Sequence, residues 1–255
     1  MLGAIIGDIV GSRFEFDNAR GADFELFTKE STYTDDTICT VAIADADMNG
    51  WDYDDALLDW CRRYPNPKGG YGARFAAWLA SDKPRPYYSY GNGSAMRVSP
   101  VGWLHGSMLE VLEAAKASAE VTHDHPEGIK GAQATAAVVF MLRHGGGKEQ
   151  ARGFIERIYG RIPACKPHCN TFTEECGPTV LTAVSCFLAS TDFEDAIRKA
   201  ILVGGDSDTI GAITGAFAEA HYGIPESIAR QAKDRLEPDM MDVVRLFYND
   251  FEFTI

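Results

Sequence analysis

Positive charge is scarce in this sequence. Its 24 lysines and arginines face 37 aspartates and glutamates, a formal net charge of −13 over 255 residues. General binding to nucleic acid or to an anionic membrane surface needs a basic footprint, so both are excluded as partners. Cysteine is sparse as well. Six in a chain of this length do not make a disulfide framework, and they fit reduced thiols in a cytoplasmic protein. Long apolar runs are missing too. The opening MLGAIIGDIVGSRFEF carries no basic segment and its apolar run breaks at Asp8, so it does not read as a signal peptide. Nothing later is long enough to span a membrane. No convincing two-residue alternation marks a strand. Linker-like and low-complexity stretches are absent, and the length suits one domain, read here as residues 1–255.

What is there is helical. A hydrophobic fraction of 45% and an aromatic fraction of 11% are those of a globular chain. Apolar periodicity predicts helices over about 2–12, 36–48, 52–63, 72–80, 107–122, 126–144, 148–159, 178–189, 192–203, 208–222, 225–236 and 239–249, with loops at 13–33, 81–104 and 160–177. Pro126, Pro178 and Pro225 suit first-turn positions, Gly145 and Gly223 suit helix stops, and Thr191 with Glu194 forms a possible capping box. Gly3, Gly7 and Gly11 recur every four residues on one helix, and Gly211 and Gly215 on another. Each interior glycine costs a helix roughly 1 kcal/mol relative to alanine, so such stripes predict two helices in close approach.

Two acidic stretches stand out: TDDTICTVAIADA (Thr34–Ala46) and DSDTIGAITGAFAEA (Asp206–Ala220). Either one alone reads as a helix cap. Capping needs one carboxylate per helix, however, and a second adds only repulsion. Asp35, Asp36, Asp206 and Asp208, with the hydroxyls of Thr34 and Thr209, make an oxygen-only set suited to Mg²⁺ or Mn²⁺. Four carboxylates divided between two ions fit a two-metal centre. The EF-hand pattern is absent. Sequence separation alone does not bring the two stretches together.

Other segments keep two readings open. YGNGSAMRVSP (Tyr90–Pro100) is either a turn feeding a helix or an anion nest of converging backbone N–H groups, with Arg97 adding charge or sitting in a structural ion pair. His123 and His125 in THDHPEGIKGA precede a helix, where local hydrogen bonding competes with a ligand role. Tyr87, Tyr88 and Tyr90 offer rings to a base or simply pack. In CKPHCNTFTEEC, zinc chemistry at Cys165, His168, Cys169 and Cys176 competes with unpaired loop thiols, and the spacing matches no recognised knuckle.

Five stretches in order, GAIIGDIVGSRFEF, YTDDT, GNGSAMRVSPVG, THDHPEGIKGA and FEDAIRKAILVGGDSDTIGAITGAFAEAHYGIP, resemble the ADP-ribosylglycohydrolase family, of the dinitrogenase-reductase-activating type, almost end to end. The resemblance implies an all-α fold, a compact orthogonal multi-helix bundle with a binuclear magnesium centre in a cleft, Mn²⁺ being able to substitute. It implies metal ligands at Thr34, Asp35, Asp36, Asp206, Asp208 and Thr209, with Glu15 approaching the metal site or closing over it. It places Gly91, Asn92, Gly93 and Ser94 on ADP-ribose, His123 along its pocket and Cys176 nearby. The implied activity is hydrolysis of the bond between ADP-ribose and a protein side chain, arginine first, with Asp35, Asp36 or Glu15 moving the proton. Serine-linked, polymeric and O-acetyl-ADP-ribose are alternatives, as are a nucleotide phosphohydrolase and a silent ADP-ribose-binding relative. The expected partner is an ADP-ribosylated protein or ADP-ribose conjugate.

Overall fold

A helix that is apolar on every side has to be buried on every side. Leu2–Gly11 (α1) is such a helix, and each of its residues is buried. The structure, a computed structural model, describes residues 1–169 and 171–249. In order come α2 (Asp35–Asn49), α3 (Tyr53–Arg63), α4 (Ala73–Leu79), α5 (Gly93–Arg97), α6 (Val101–Leu104) and α7 (Met108–Glu120). Then follow α8 (Pro126–Arg143), α9 (Lys148–Tyr159), α10 (Cys176–Ala189), α11 (Phe193–Leu202), α12 (Ser207–Tyr222), α13 (Glu226–Lys233) and α14 (Pro238–Asn249). Among the described residues there is no strand, only isolated bridges joining Thr34 to Lys68 and Gly91 to Glu175. The fold is all-α, as the periodicity predicts. Among the same residues no helix is long and apolar enough to cross a membrane.

The glycine stripes meet each other. Gly3 lies against Gly215, Gly7 against Gly211, and Gly11 against Ser207 and Asp208, so α1 and α12 run antiparallel with their backbones touching. A Cβ added to Gly211 would sit 2.5 Å from the Gly7 carbonyl oxygen, and one on Gly11 would sit 2.5 Å from the Asp208 Cα. No side chain larger than hydrogen fits this seam. The register has a consequence for function: the end of α1, followed by Glu15, is delivered to the start of α12, where Asp206 and Asp208 lie.

End signals are largely where the sequence puts them. Pro126 is the first residue of α8, and Gly145 (φ +82°) and Gly223 (φ +74°) close α8 and α12. Three local expectations need correction. The stretch 81–104 is not all loop, because α5 and α6 are single turns too short to carry a periodic pattern. Thr191 does not cap α11. Asp192 does, its carboxylate accepting the Asp195 N–H at 2.9 Å, while Thr191 N–H donates to Asp195 at 2.8 Å. Helix α10 starts at Cys176, which puts Pro178 in its third position, and Pro225 stands just outside α13 as its cap.

Candidate active site

Thr34 is the cap of α2: its hydroxyl oxygen accepts the Asp36 N–H at 3.2 Å. The same hydroxyl donates to Asp8 Oδ1 at 2.8 Å. Asp8, fully buried in α1, also accepts the backbone N–H groups of Thr34 at 3.0 Å and Thr37 at 3.1 Å, and the Thr37 hydroxyl. Three of these donors converge on Oδ2 and one on Oδ1, so four hydrogen bonds hold the carboxylate. Asp8 therefore bolts the first turn of α2 to α1 and fixes where Asp35 and Asp36 point. Sequence reading gave Asp8 no role beyond breaking an apolar run. A lone carboxylate inside a helix that is otherwise apolar all round was the available signal, since burying one demands partners.

The second acidic stretch is aimed by backbone. Gly204 (φ +81°) and Gly205 (φ +91°) occupy the left-handed region that side chains disfavour, and they turn the chain into Asp206. Asp206 stands at the cap position of α12, yet its side chain makes no capping hydrogen bond. Its Oδ2 instead accepts the Asn92 amide at 2.6 Å. Asp208 Oδ1 accepts the Thr209 N–H at 3.0 Å, and the Thr209 hydroxyl donates across to Asp36 Oδ1 at 3.4 Å, so the two acidic stretches do meet.

Carboxylate oxygens of Glu15, Asp206 and Asp208 lie within 4.8 Å of one another. Asp36 Oδ2 is buried and has no hydrogen-bond partner. Burial, and after it the charge of Asp208, pushes the Asp35, Asp36 and Asp206 carboxyls well above the usual carboxylate range and Glu15 up to about 8. Asp8 is raised to about 7 for the same two reasons. Crowded, desolvated carboxylates with an orphaned oxygen are the donor set a hard divalent cation takes, so the residues present fit a metal.

Glu15, Asp35, Asp36, Asp206 and Asp208 line one cleft of about 370 Å³, together with Gly91, Asn92, Gly93 and His123. Two of the expected residues keep their side chains out of it. Thr34 lies behind the cluster with its hydroxyl engaged as described. Ser94 is fully buried and donates to the Gly128 carbonyl at 2.8 Å, which ties α5 to α8. Arg97, also buried, is not in an ion pair among the described residues: it donates to the Ser118 carbonyl at 2.7 Å and the Thr122 hydroxyl at 2.9 Å. That hydroxyl is 2.7 Å from His123 Nδ1. Burial and then Arg97 hold His123 well below the usual histidine range, so it lines the cleft as a neutral ring.

His125 is a cap, its Nδ1 accepting the Glu127 N–H at 3.0 Å, and Tyr88 and Tyr90 pack edge-on against it outside the cleft. Tyr87 is a cleft wall. The cysteines do not gather as zinc ligands among the described residues. Cys165 Sγ lies 3.6 Å from Cys186, and buried Cys176 Sγ lies 3.9 Å from the Ser94 hydroxyl.

Comparison with known proteins bears on this geometry. Residues 1–252 match the family model described as ADP-ribosylglycohydrolase. The chain is 25% identical to the ADP-ribosylhydrolase ARH3 of Mus musculus, over 94% of this chain and 88% of that protein. It is 27% identical to the ADP-ribosylarginine hydrolase Tri1 of Pseudomonas putida, over 88% of this chain and 70% of that one. It is 24% identical to the ADP-ribosyl-[dinitrogen reductase] glycohydrolase of Rhodospirillum rubrum, over 88% and 85%. A solved structure of an ADP-ribosylglycohydrolase-related protein complex superimposes with a TM-score of 0.73 over 97% of this chain and 96% of its own, at 23% identity, and so shares the fold.

Proposed function

Since the chain belongs to the ADP-ribosylglycohydrolase family, we propose that this enzyme hydrolyses the glycosidic bond between ADP-ribose and a protein side chain, arginine first, releasing free ADP-ribose. The observation that carries the reading is the buried, unpartnered Oδ2 of Asp36 beside the Asp206 and Asp208 carboxylates in one cleft. Two Mg²⁺ ions, for which Mn²⁺ can substitute, would be held by Asp35, Asp36, Asp206, Asp208 and Thr209, with Glu15 at the edge. When bound they would supply Lewis acidity towards substrate oxygens and a more acidic water. Thr34 and Asp8 serve this set from behind by holding α2.

The chain's own groups divide the remaining work. Gly91, Asn92 and Gly93 form the wall against which ADP-ribose lies, with the neutral ring of His123 beside Gly93. Asn92 spans from that wall to Asp206, and so couples the bound ligand to the acidic cluster. Hydrolysis breaks the C1″–N bond, places the water hydroxyl on C1″ and sends a proton to the departing nitrogen. The positive charge that develops on the ribose is stabilised by the surrounding carboxylates. Of Asp35, Asp36 and Glu15, Glu15 is the least buried, so we assign it the movement of the proton to the leaving nitrogen. Free thiols at half-buried Cys165 and exposed Cys169 suit a reducing cytoplasmic setting.

Product analysis tests the assignment. Arginine-linked ADP-ribose incubated with the protein and Mg²⁺ should yield free ADP-ribose. AMP would identify a phosphohydrolase instead, and no product at all from arginine-, serine- or acetyl-linked ADP-ribose would identify a binding protein.

A further inference from the structure

Phe16 and Phe172 are 76% and 47% exposed, yet both line the cleft. They come from two different loops, one following α1 and one preceding α10, and their rings stack with centroids 6.0 Å apart at 26°. Of the large exposed apolar side chains among the described residues, the others (Trp51, Tyr88, Tyr90, Leu109 and Leu246) lie outside this cleft. Two phenyl rings held in water at a cleft mouth lose the burial that ordinarily stabilises an aromatic side chain, so a ligand group that covers them is the natural reason for their placement.

Their neighbours say what kind of group. Glu15, which adjoins Phe16 in the chain, and Glu174, two residues beyond Phe172, bring carboxylate-bearing side chains to the same cleft. Arg74 and Arg97, in contrast, line the cleft together with Tyr87, over whose ring the Arg74 guanidinium sits at 4.9 Å. The cleft thus has a cationic lining suited to a diphosphate and an aromatic, acidic lining suited to a planar cation. A guanidinium stacks on aromatic faces and pairs with carboxylates through its planar fork. A serine ether oxygen offers neither a charge nor a plane.

We propose that Phe16 and Phe172, with Glu15 and Glu174 beside them, form an acceptor-side subsite that selects the guanidinium of an ADP-ribosylated arginine. The identity of the attached group rests on the hydrolase reading above; recognition of the guanidinium does not. The rings part slightly, or present their outer faces, and the guanidinium lies against them while its ribose enters the cleft.

Agmatine, a guanidinium on a short alkyl chain, probes the subsite without turnover. Titrated into the full-length protein and followed by NMR, it should bind the parent, bind Phe16→Ala and Phe172→Ala at least fivefold more weakly, and bind Phe172→Tyr about as the parent does. Butylamine, which is cationic but not planar, should bind the parent more weakly than agmatine. In turnover, the ratio of kcat/KM on arginine-linked to serine-linked ADP-ribose should fall at least tenfold in Phe172→Ala. Agmatine binding that is absent in the parent, or equal in parent and alanine variants, overturns the proposal. So does an equal loss on both conjugates, which would make the rings part of the ADP-ribose pocket. If the parent releases ADP-ribose from neither conjugate, the hydrolase reading falls while the agmatine titration still decides the subsite.

Discussion

Gly7 of α1 and Gly211 of α12 touch backbone to backbone: a Cβ on Gly211 would lie 2.5 Å from the Gly7 carbonyl oxygen, and one on Gly7 would lie 2.6 Å from the Ala212 nitrogen. Everything the cleft does depends on that seam, because it sets the register that brings Glu15 to Asp206 and Asp208. Gly7→Ala should therefore force the two helices apart and destabilise the protein by about 3 kcal/mol or more, at or beyond the upper end of the usual overpacking cost. Gly153 in the interior of α9 has open space where its Cβ would be, and Gly153→Ala should stabilise by about 0.5–1 kcal/mol. Urea unfolding of the two variants checks this pair, and a tolerated Gly7→Ala would contradict the seam.

Asp206 separates a structural cap from a metal ligand. It makes no capping bond, so Asp206→Asn removes a charge from the cluster without removing a helix cap. Unfolding without metal should be unchanged or shifted towards greater stability. Turnover should fall by two orders of magnitude or more, on the order of the 3 kcal/mol that one lost transition-state interaction costs. Asp36→Asn should lose turnover similarly. Normal turnover in either variant at limiting magnesium would sink the two-stretch site.

The acidic pairs, the glycine stripes and the all-α class were legible in the sequence because each rests on spacing within one element. What joins elements was not. The meeting of Asp36 with Thr209 needs the antiparallel register of α1 and α12, and no local pattern encodes a register. Asp8 was overlooked because its partners, Thr34 and Thr37, are far along the chain. Ser94 was grouped with its loop neighbours, but a residue inside a one-turn helix points away from the face its neighbours expose, and this one turns to Gly128. Phe16 and Phe172 lie in stretches that stand out for other residues, and only the fold brings their loops together.

Protons and metal should compete for the cluster. Glu15, raised to about 8 by burial and then by Asp208, keeps a proton in the metal-free native protein that the unfolded chain releases near the ordinary glutamate value. The native state thus binds more protons between those values, and metal-free stability should fall as pH rises through that window. Mg²⁺ replaces the protons and relieves the repulsion, so its stabilising effect should grow over the same window. Melting midpoints from about pH 5 to about pH 9, in EDTA and in excess Mg²⁺, should diverge as pH rises. A constant gap would count against a metal at these carboxylates.

Gly93 is the test of the ADP-ribose wall. A Cβ there would lie 3.1 Å from both Cε1 and Nε2 of His123, so Gly93→Val must push the ring or the loop into the cleft. Calorimetry should record ADP-ribose binding weakened at least tenfold with Mg²⁺ affinity close to that of the parent. Parent-like ADP-ribose binding would place the ligand elsewhere.

The central claim is that carboxylates from two distant stretches form one metal-dependent site for cleaving ADP-ribose from its acceptor. Release of ADP-ribose from an arginine-linked conjugate, measured after exhaustive dialysis against EDTA and again after adding Mg²⁺, tests it most directly. Release should drop to background without metal and return with Mg²⁺ or Mn²⁺; full release in excess EDTA would contradict it.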